Sequence, residues 1–230
     1  MKSIKTLALV TGLMAICGVS QAQFSSTWTA VSDYDFRGWS QSAKNPALQG
    51  SADYAFANGL SIGAWASNVD FGNDADIELD VYLNYVGKIN DTFSWTGGFT
   101  YYSYPGSDDA GEYPEFYLGL NAGDFSFKQW YADKLYDGPE SALYSEANYT
   151  ASITDNFNLG FHAGYAWGDA WDGGELFDYA VQANYTAGNF TLFAKFTGTD
   201  ASGAEKVTAD ENNNEPRFLV GVTTTLPWGK

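Results

Sequence analysis

Between Ile77 and Tyr85 apolar and polar residues take turns. Ile77, Leu79, Val81, Leu83 and Tyr85 hold the odd positions, and Glu78, Asp80, Tyr82 and Asn84 the even ones. A strand points successive side chains to opposite faces, so this stretch has one greasy face and one wet face. A helix would scatter the two carboxylates around its axis, so the period argues for strand. In a soluble sandwich the greasy face would look inward. In a membrane barrel it would look out at lipid, and the acidic face would look into a lumen.

The same rhythm predicts twelve strands: Trp28–Arg37, Leu48–Phe56, Leu60–Val69, Ile77–Tyr85, Phe93–Tyr104, Glu115–Ala122, Phe125–Ala132, Ala142–Ser152, Phe157–Trp167, Phe177–Tyr185, Phe190–Thr197 and Arg217–Trp228. Gln129 breaks the pattern by falling on the apolar face of its strand. The connections alternate in length. Those near Asn58, Asn90, Gly123, Asp155 and Gly188 are short, whereas those before Pro46 and around Gly72, Gly106, Gly138, Gly173 and Ala209 are longer. A two-sheet Greek key has no reason to keep this order. An up-and-down barrel does, with tight turns at one end and long loops at the other. The expected fold is therefore all-β, an antiparallel up-and-down transmembrane β-barrel of about 12 strands. Closure is required because lipid offers no partner for backbone N–H and C=O groups.

The N-terminus adds an address. Lys2 and Lys5 form a basic region, Leu7–Val19 an apolar core, and Ser20-Gln21-Ala22 a small-x-small cleavage site. Residues 1–22 read as a secretory signal peptide and 23–230 as the barrel domain. Cys17 is the only cysteine and lies inside that signal. The mature chain then has no disulfide, thiolate metal site or cysteine nucleophile. The formal charge of −17 becomes about −19 once Lys2 and Lys5 are removed. Such a charge argues against nucleic acid and against docking on anionic lipid, and favours cations or neutral solutes. Aromatic residues at 17% suit the girdles of a membrane barrel. The expected partners are outer-membrane lipids, the outer-membrane assembly machinery and small polar solutes.

Alternation puts a charged set on the lumen face: Asp33, Asp35, Arg37, Asp53, Glu78, Asp80, Glu115, Lys128, Glu146, Asp178, Lys195 and Arg217, with His162 as a further polar residue. Acids outnumber bases, and rings of carboxylates raise the local cation concentration and repel anions. This is the pattern of a weakly cation-preferring pore. If the charges instead pair with one another, they fill a closed barrel. Asp33, Asp35 and Arg37 sit two residues apart on one predicted face, where a local ion pair is expected.

Catalysis finds little support. His162 is the only histidine, so an Asn-Ser-His hydrolase on a twelve-stranded barrel would have to use it. Alternation puts it in the lumen, whereas a barrel lipase needs its catalytic group on the lipid side, and no nucleophile-elbow motif is present. Glu78 and Asp80 are better explained as one polar face than as a glycosidase pair. Asp70, Asn73, Asp74 and Asp76 cluster around Gly72, but their spacing departs from the EF-hand loop and reads as a solvated turn. No cofactor and no metal are expected.

Two stretches carry a family resemblance. The first is Asp33-Tyr34-Asp35-Phe36-Arg37-Gly38-Trp39-Ser40-Gln41-Ser42, followed by Pro46-Ala47-Leu48-Gln49-Gly50 and Asp53-Tyr54. The second is Gly63-Ala64-Trp65-Ala66-Ser67-Asn68-Val69-Asp70. Together they resemble the TorF-type porins, a family of proteobacterial outer-membrane proteins of about this length. Phe36, Arg37, Gly38, Ser40, Gln41, Ser67, Asn68, Val69 and Asp70 carry most of the match. The resemblance implies an outer-membrane pore and does not supply a solute. Two other readings stay open: a closed structural or adhesive barrel acting through its external loops, and a secreted β-protein that binds glycans.

Overall fold

The computed structural model describes residues 23–228. The signal reading of residues 1–22, with Lys2, Lys5 and Cys17, and the chain end at Gly229 and Lys230 lie outside the described residues.

Twelve strands form the wall: β1 (Gln23–Val31), β4 (Ala47–Ala55), β5 (Leu60–Asn68), β6 (Ile77–Lys88), β7 (Phe93–Ser103), β8 (Tyr113–Ala122), β9 (Phe125–Ala132), β10 (Ala142–Ser152), β11 (Phe157–Trp167), β12 (Leu176–Ala187), β13 (Phe190–Thr199) and β14 (Arg217–Leu226). Between β1 and β4 lie two very short strands, β2 (Asp35–Phe36) and β3 (Trp39–Ser40). Each wall strand runs antiparallel to its neighbours, and β1 closes the barrel by pairing with β4 on one side and β14 on the other. The seam runs in register from Ser26 opposite Leu226 to Val31 opposite Gly221. No free edge is left in the wall, which satisfies its backbone groups without water.

The outer face is apolar. In β6 the outward residues Ile77, Leu79, Val81, Leu83 and Tyr85 are all exposed. Leu118 in β8 is 64% exposed and Phe218 in β14 is 81% exposed. Aromatic residues stand towards both ends of several strands, with aliphatic residues between. In β12, for example, Phe177 and Tyr185 flank Val181, and in β13 Phe190 and Phe196 flank Leu192. An apolar belt between two aromatic girdles matches the profile of a lipid-facing wall. The inner face carries the polar set, including buried Glu78, Asp80, Glu115, Glu146, Asp178, Gln182 and Lys195. The soluble sandwich is thereby set aside, because its apolar residues would look inward.

Two expectations need correction. The strand expected over Trp28–Arg37 instead begins at Gln23 and ends at Val31. At Ser32 the backbone makes a last bond to the wall, its N–H donating to Val220 O at 2.9 Å, and the chain then turns into the lumen as the β2–β3 hairpin. Inside the lumen the segment is held electrostatically: Arg217 and Lys195, projecting inward from β14 and β13, pair with Asp33 and Asp35. At the other terminus the last strand stops at Leu226 rather than Trp228. Gln129, the residue that broke alternation in β9, is satisfied on the outer face. Its Nε2 donates to Trp130 O and Tyr144 O at 3.0 and 3.2 Å, and its Oε1 accepts from Ser145 Oγ at 2.7 Å.

Candidate functional site in the barrel lumen

The inserted hairpin crosses the lumen and is fastened to opposite walls. On one side Arg217 of β14 gathers its base. Nε donates to Asp33 at 2.6 Å, Nη2 to Asp35 at 2.5 Å, and Nη1 to the carbonyl of Gly38 at 2.7 Å. Lys195 of β13 adds a bond to Asp35 at 2.6 Å. On the other side Arg37, at the tip, reaches Glu115 of β8 with both terminal nitrogens, at 2.9 and 2.7 Å. The Arg37 guanidinium also lies 4.0 Å from the centre of the Tyr144 ring. Two-pronged pairing and stacking over an aromatic face are both geometries that arginine offers and lysine does not.

The local expectation for Asp33, Asp35 and Arg37 therefore fails. The three do not pair with each other. Arg37 (φ 51°) and Gly38 (φ 83°) both lie in the left-handed region, which turns Arg37 away from the two aspartates and across the barrel. Gly38 must also be small. A Cβ there would stand 2.7 Å from the Thr199 methyl and 3.0 Å from Gly198 O.

The two stretches that carry the family resemblance meet in space. The N–H of Asp70 donates to Gln41 O at 2.8 Å, and Ser42 bridges to Asp70. Ser40 and Ser42 hold Asp33 through hydroxyls at 2.6 and 3.2 Å. Asn68 receives the Leu48 N–H at 2.8 Å and donates to Pro46 O at 3.2 Å. Ser67 and Val69 are buried beside this junction, and Phe36 packs edge-on against Tyr102 with ring centres 5.9 Å apart. These residues build the foot and body of the hairpin.

A second network spans β9 to β12. Lys128 stands 3.9 Å from Glu146, over the rings of Tyr117 and Trp130. Trp130 Nε1 donates to Glu146 at 2.8 Å. His162 Nε2 lies 2.8 Å from Asp178, and its Nδ1 lies 2.7 Å from Asn148 Oδ1. Tyr144 OH donates to Asp178 at 3.0 Å. Gly164 makes room for that bond, since a Cβ there would fall 2.1 Å from the Tyr144 hydroxyl. His162 is thus bound into a network with acids and with the Tyr144 hydroxyl, which lies 3.1 Å from its Nε2.

The third group is different. Asp53 of β4 accepts from Ser51 Oγ at 2.7 Å and from the Tyr82 hydroxyl. Glu78 accepts from Tyr34 OH at 3.3 Å. Glu78 Oε2, Asp80 Oδ1 and Thr100 Oγ1 are buried and have no hydrogen-bond partner among the described residues. No ion pair to Asp53, Glu78 or Asp80 occurs among the described residues either. The permanent cations Arg37, Lys128, Lys195 and Arg217 all pair elsewhere. Ion pairing among the described residues is therefore segregated: it occurs along β8–β14 and not along β4–β6.

Between these groups runs a cavity of about 160 Å³, bordered by Asp33, Asp35, Arg37, Asp53, Asp80, Lys128, Glu146, His162, Asp178 and Lys195. Glu115 borders a smaller hollow beyond Arg37, Glu78 lies against Tyr34, and Arg217 sits behind the two aspartates. The sequence reading missed the aromatic share of this lining. Trp65, Tyr82, Tyr102, Trp130 and Tyr144 all border the cavity. Their places on the wet side of the alternation were the available signal.

Over residues 16–226 the sequence fits the model of Gcw_chp, described as a bacterial protein of unknown function. The chain belongs to that family. None of the curated proteins matches it in sequence. Among solved structures it is similar to a KdgM porin, with a TM-score of 0.56 at 17% identity, over 87% of this chain and 98% of that one. The same porin described in complex with disordered oligogalacturonate gives the same values. A NanC porin matches with a TM-score of 0.56 at 14% identity, over 88% and 99%. At these identities the likeness shows a shared twelve-stranded barrel fold.

Proposed function

We propose that this member of the Gcw_chp family is a porin-like channel of the bacterial outer membrane. It passes small polar solutes by passive diffusion, with a weak preference for cations. Residues 1–22 would direct export and be removed before Gln23, and the outer-membrane assembly machinery would insert the barrel among lipids. The TorF-type resemblance of the hairpin segment points the same way. The observation that carries the reading is the pairing of a closed wall, apolar outside, with a polar interior that its side chains do not fill. Small barrels whose interior is packed have no such space.

Selection would come from the constriction made by the hairpin and from the sign of the lining. Eight carboxylates of the interior set (Asp33, Asp35, Asp53, Glu78, Asp80, Glu115, Glu146 and Asp178) face four permanent cations, so a cation enters more readily than an anion. The structurally similar KdgM porin is described with oligogalacturonate, a polyanion. The excess of acid in this lumen favours a different class of solute. No step of the reading requires bond-making or a cofactor, and the lumen residues act through charge and width alone.

The test is single-channel recording of the purified protein in a planar bilayer under a salt gradient. Reproducible steps with a reversal potential on the cation side support the reading, and charge reversal by Asp80→Lys should move that potential towards the anion side. Unchanged selectivity in an open channel would remove Asp80 from the lining. The hairpin that spans the lumen favours one rival, a closed barrel acting through its external loops. Silence from protein shown to be folded and inserted would favour that rival.

A further inference from the structure

Glu78, Asp80 and Thr100 present a combination found nowhere else among the described residues. Each side chain is more than nine-tenths buried, and each keeps an oxygen without a hydrogen-bond partner. Glu78 and Asp80 point the same way from β6, two residues apart. Thr100 of β7 stands opposite Tyr82 in the ladder and so lies diagonal to Asp80. Unpartnered buried oxygens are costly, and two carboxylates side by side more so, unless something donates to them. Once ionised the two free carboxylate oxygens only accept, and the Thr100 hydroxyl accepts as well as donates, so a donor that carries positive charge suits all three.

The surroundings choose among cations. Calcium asks for six to eight oxygens and magnesium for near-octahedral geometry, and this corner offers few beyond the three. Transition metals favour nitrogen or sulfur ligands, and no cluster of three or more histidine, cysteine or acidic residues able to hold a metal occurs among the described residues. Asp80 and Thr100 border the cavity together with the rings of Tyr34, Trp65 and Tyr102. Tyr34 and Trp65 stand tilted to one another with centres 5.3 Å apart. An ammonium group carries three donors and no acceptor, and an organic stem gains from aromatic walls that a bare ion would not use.

We propose that Asp80 and Thr100, with Glu78 behind them, form a binding site for the primary ammonium group of a small organic cation, whose stem lies against Tyr34, Trp65 and Tyr102. This deepens the channel reading by naming a solute class, and it rests on that reading only for transport. Binding itself needs no conduction. The ammonium donates to the free oxygens of Asp80 and Thr100, and its charge offsets the carboxylates of Asp80 and the adjacent Glu78, with which Arg37, Lys128, Lys195 and Arg217 do not pair.

The experiment is calorimetric titration of the full chain, expressed, exported and extracted in detergent, with n-butylammonium chloride. n-Butanol serves as the neutral match and calcium chloride as the divalent ion. Saturable butylammonium binding is expected at neutral pH, with none for butanol or calcium. Asp80→Asn and Glu78→Gln should each weaken it about tenfold or more, the scale of one charged hydrogen bond. Heat-dependent gel migration checks that both variants remain folded barrels. Lack of butylammonium binding by folded protein would overturn the proposal. So would affinity unchanged in both variants, or calcium binding that the same variants abolish. The same preparations in planar bilayers separate the two ideas. A conducting barrel that does not bind loses the ammonium site alone, and a binding barrel that never conducts loses the channel alone.

Discussion

Arg37, at the tip of the inserted hairpin, closes a two-pronged ion pair on Glu115 of the opposite wall at 2.7 and 2.9 Å. This contact and the Arg217 cluster fix the hairpin at both ends, so it braces the barrel across its width. Glu115 is 2% exposed and also accepts from Tyr102 OH at 3.0 Å. Removing Arg37 leaves a buried carboxylate with a neutral donor only. Arg37→Ala should therefore cost on the order of 3 kcal/mol in urea unfolding. It should also raise single-channel conductance, because the tip is released from the far wall. Glu115→Gln with Arg37→Ala should cost less than the two singles combined. Strict additivity would show that the pair does not act as a unit.

Gly38 tests how tightly the hairpin lies against β13. Gly38→Ala meets two obstacles, the positive φ of 83° and the Thr199 methyl at 2.7 Å from the new Cβ. The first alone costs about 1 kcal/mol. Thr199→Ser removes that methyl while keeping the hydroxyl that donates to Asn214 O. The double variant should regain the part of the loss due to the Thr199 methyl and none of the backbone part, while Gly198 O at 3.0 Å and the Asp178 Cβ at 3.1 Å still crowd the new Cβ. Protease cleavage after Arg37 in folded protein is the readout. Equal protection in Gly38→Ala and wild type would mean that the hairpin is not held as described.

The wall is legible in the sequence because each strand must satisfy two solvents at once. Ile77–Tyr85 alternates strictly because one face meets an apolar medium and the other a polar one, and the short turns at Asn58, Asn90, Gly123, Asp155 and Gly188 mark one end of the barrel. The hairpin is not legible, because it obeys the same alternation as the wall. Tyr34 packs on Trp65 and Phe36 on Tyr102, while Asp33 and Asp35 meet Arg217 and Lys195. A segment threading a charged lumen between aromatic rings reads like one more strand. Gly38 was the sole mark of the turn. The segregation of charge is hidden for another reason: alternation gives a residue's face, and pairing depends on which strands the barrel makes neighbours.

The proposed membrane placement makes a further demand on β6. Val81 sits mid-strand on the outer face and is exposed. An arginine at the bilayer midplane of a barrel costs about 2–4 kcal/mol, falling towards zero near the interface. Val81→Arg should lose that amount when folding free energy is measured by urea titration in lipid vesicles. Ala57→Arg, in the exposed tight turn between β4 and β5, should lose almost nothing. Equal effects at the two positions would contradict the placement of the membrane around the strands.

Two of the long loops join each other through Asp74. Its carboxylate accepts the N–H of Asp108 at 3.0 Å, that of Asp109 at 3.3 Å, and the Ser107 hydroxyl. The Asp108 amide leads in holding the Asp74 pKa below the usual carboxylate range, with Ser107 next. A depressed carboxyl lends its contribution above its unfolded pKa, near 3.9, and loses it as pH falls through the lower folded value. The loop over residues 104–112 should therefore stay tied to the loop over 69–76 at neutral pH and come free only below about pH 4. Asp74→Asn should free it at every pH, since a neutral amide oxygen accepts these donors more weakly. Amide hydrogen exchange at Asp108, corrected for the intrinsic pH dependence of exchange, reads this directly. Protection that holds at pH 7, falls in acid and is missing throughout in Asp74→Asn is the expected result. Protection indifferent to both would mean that another contact ties the loops.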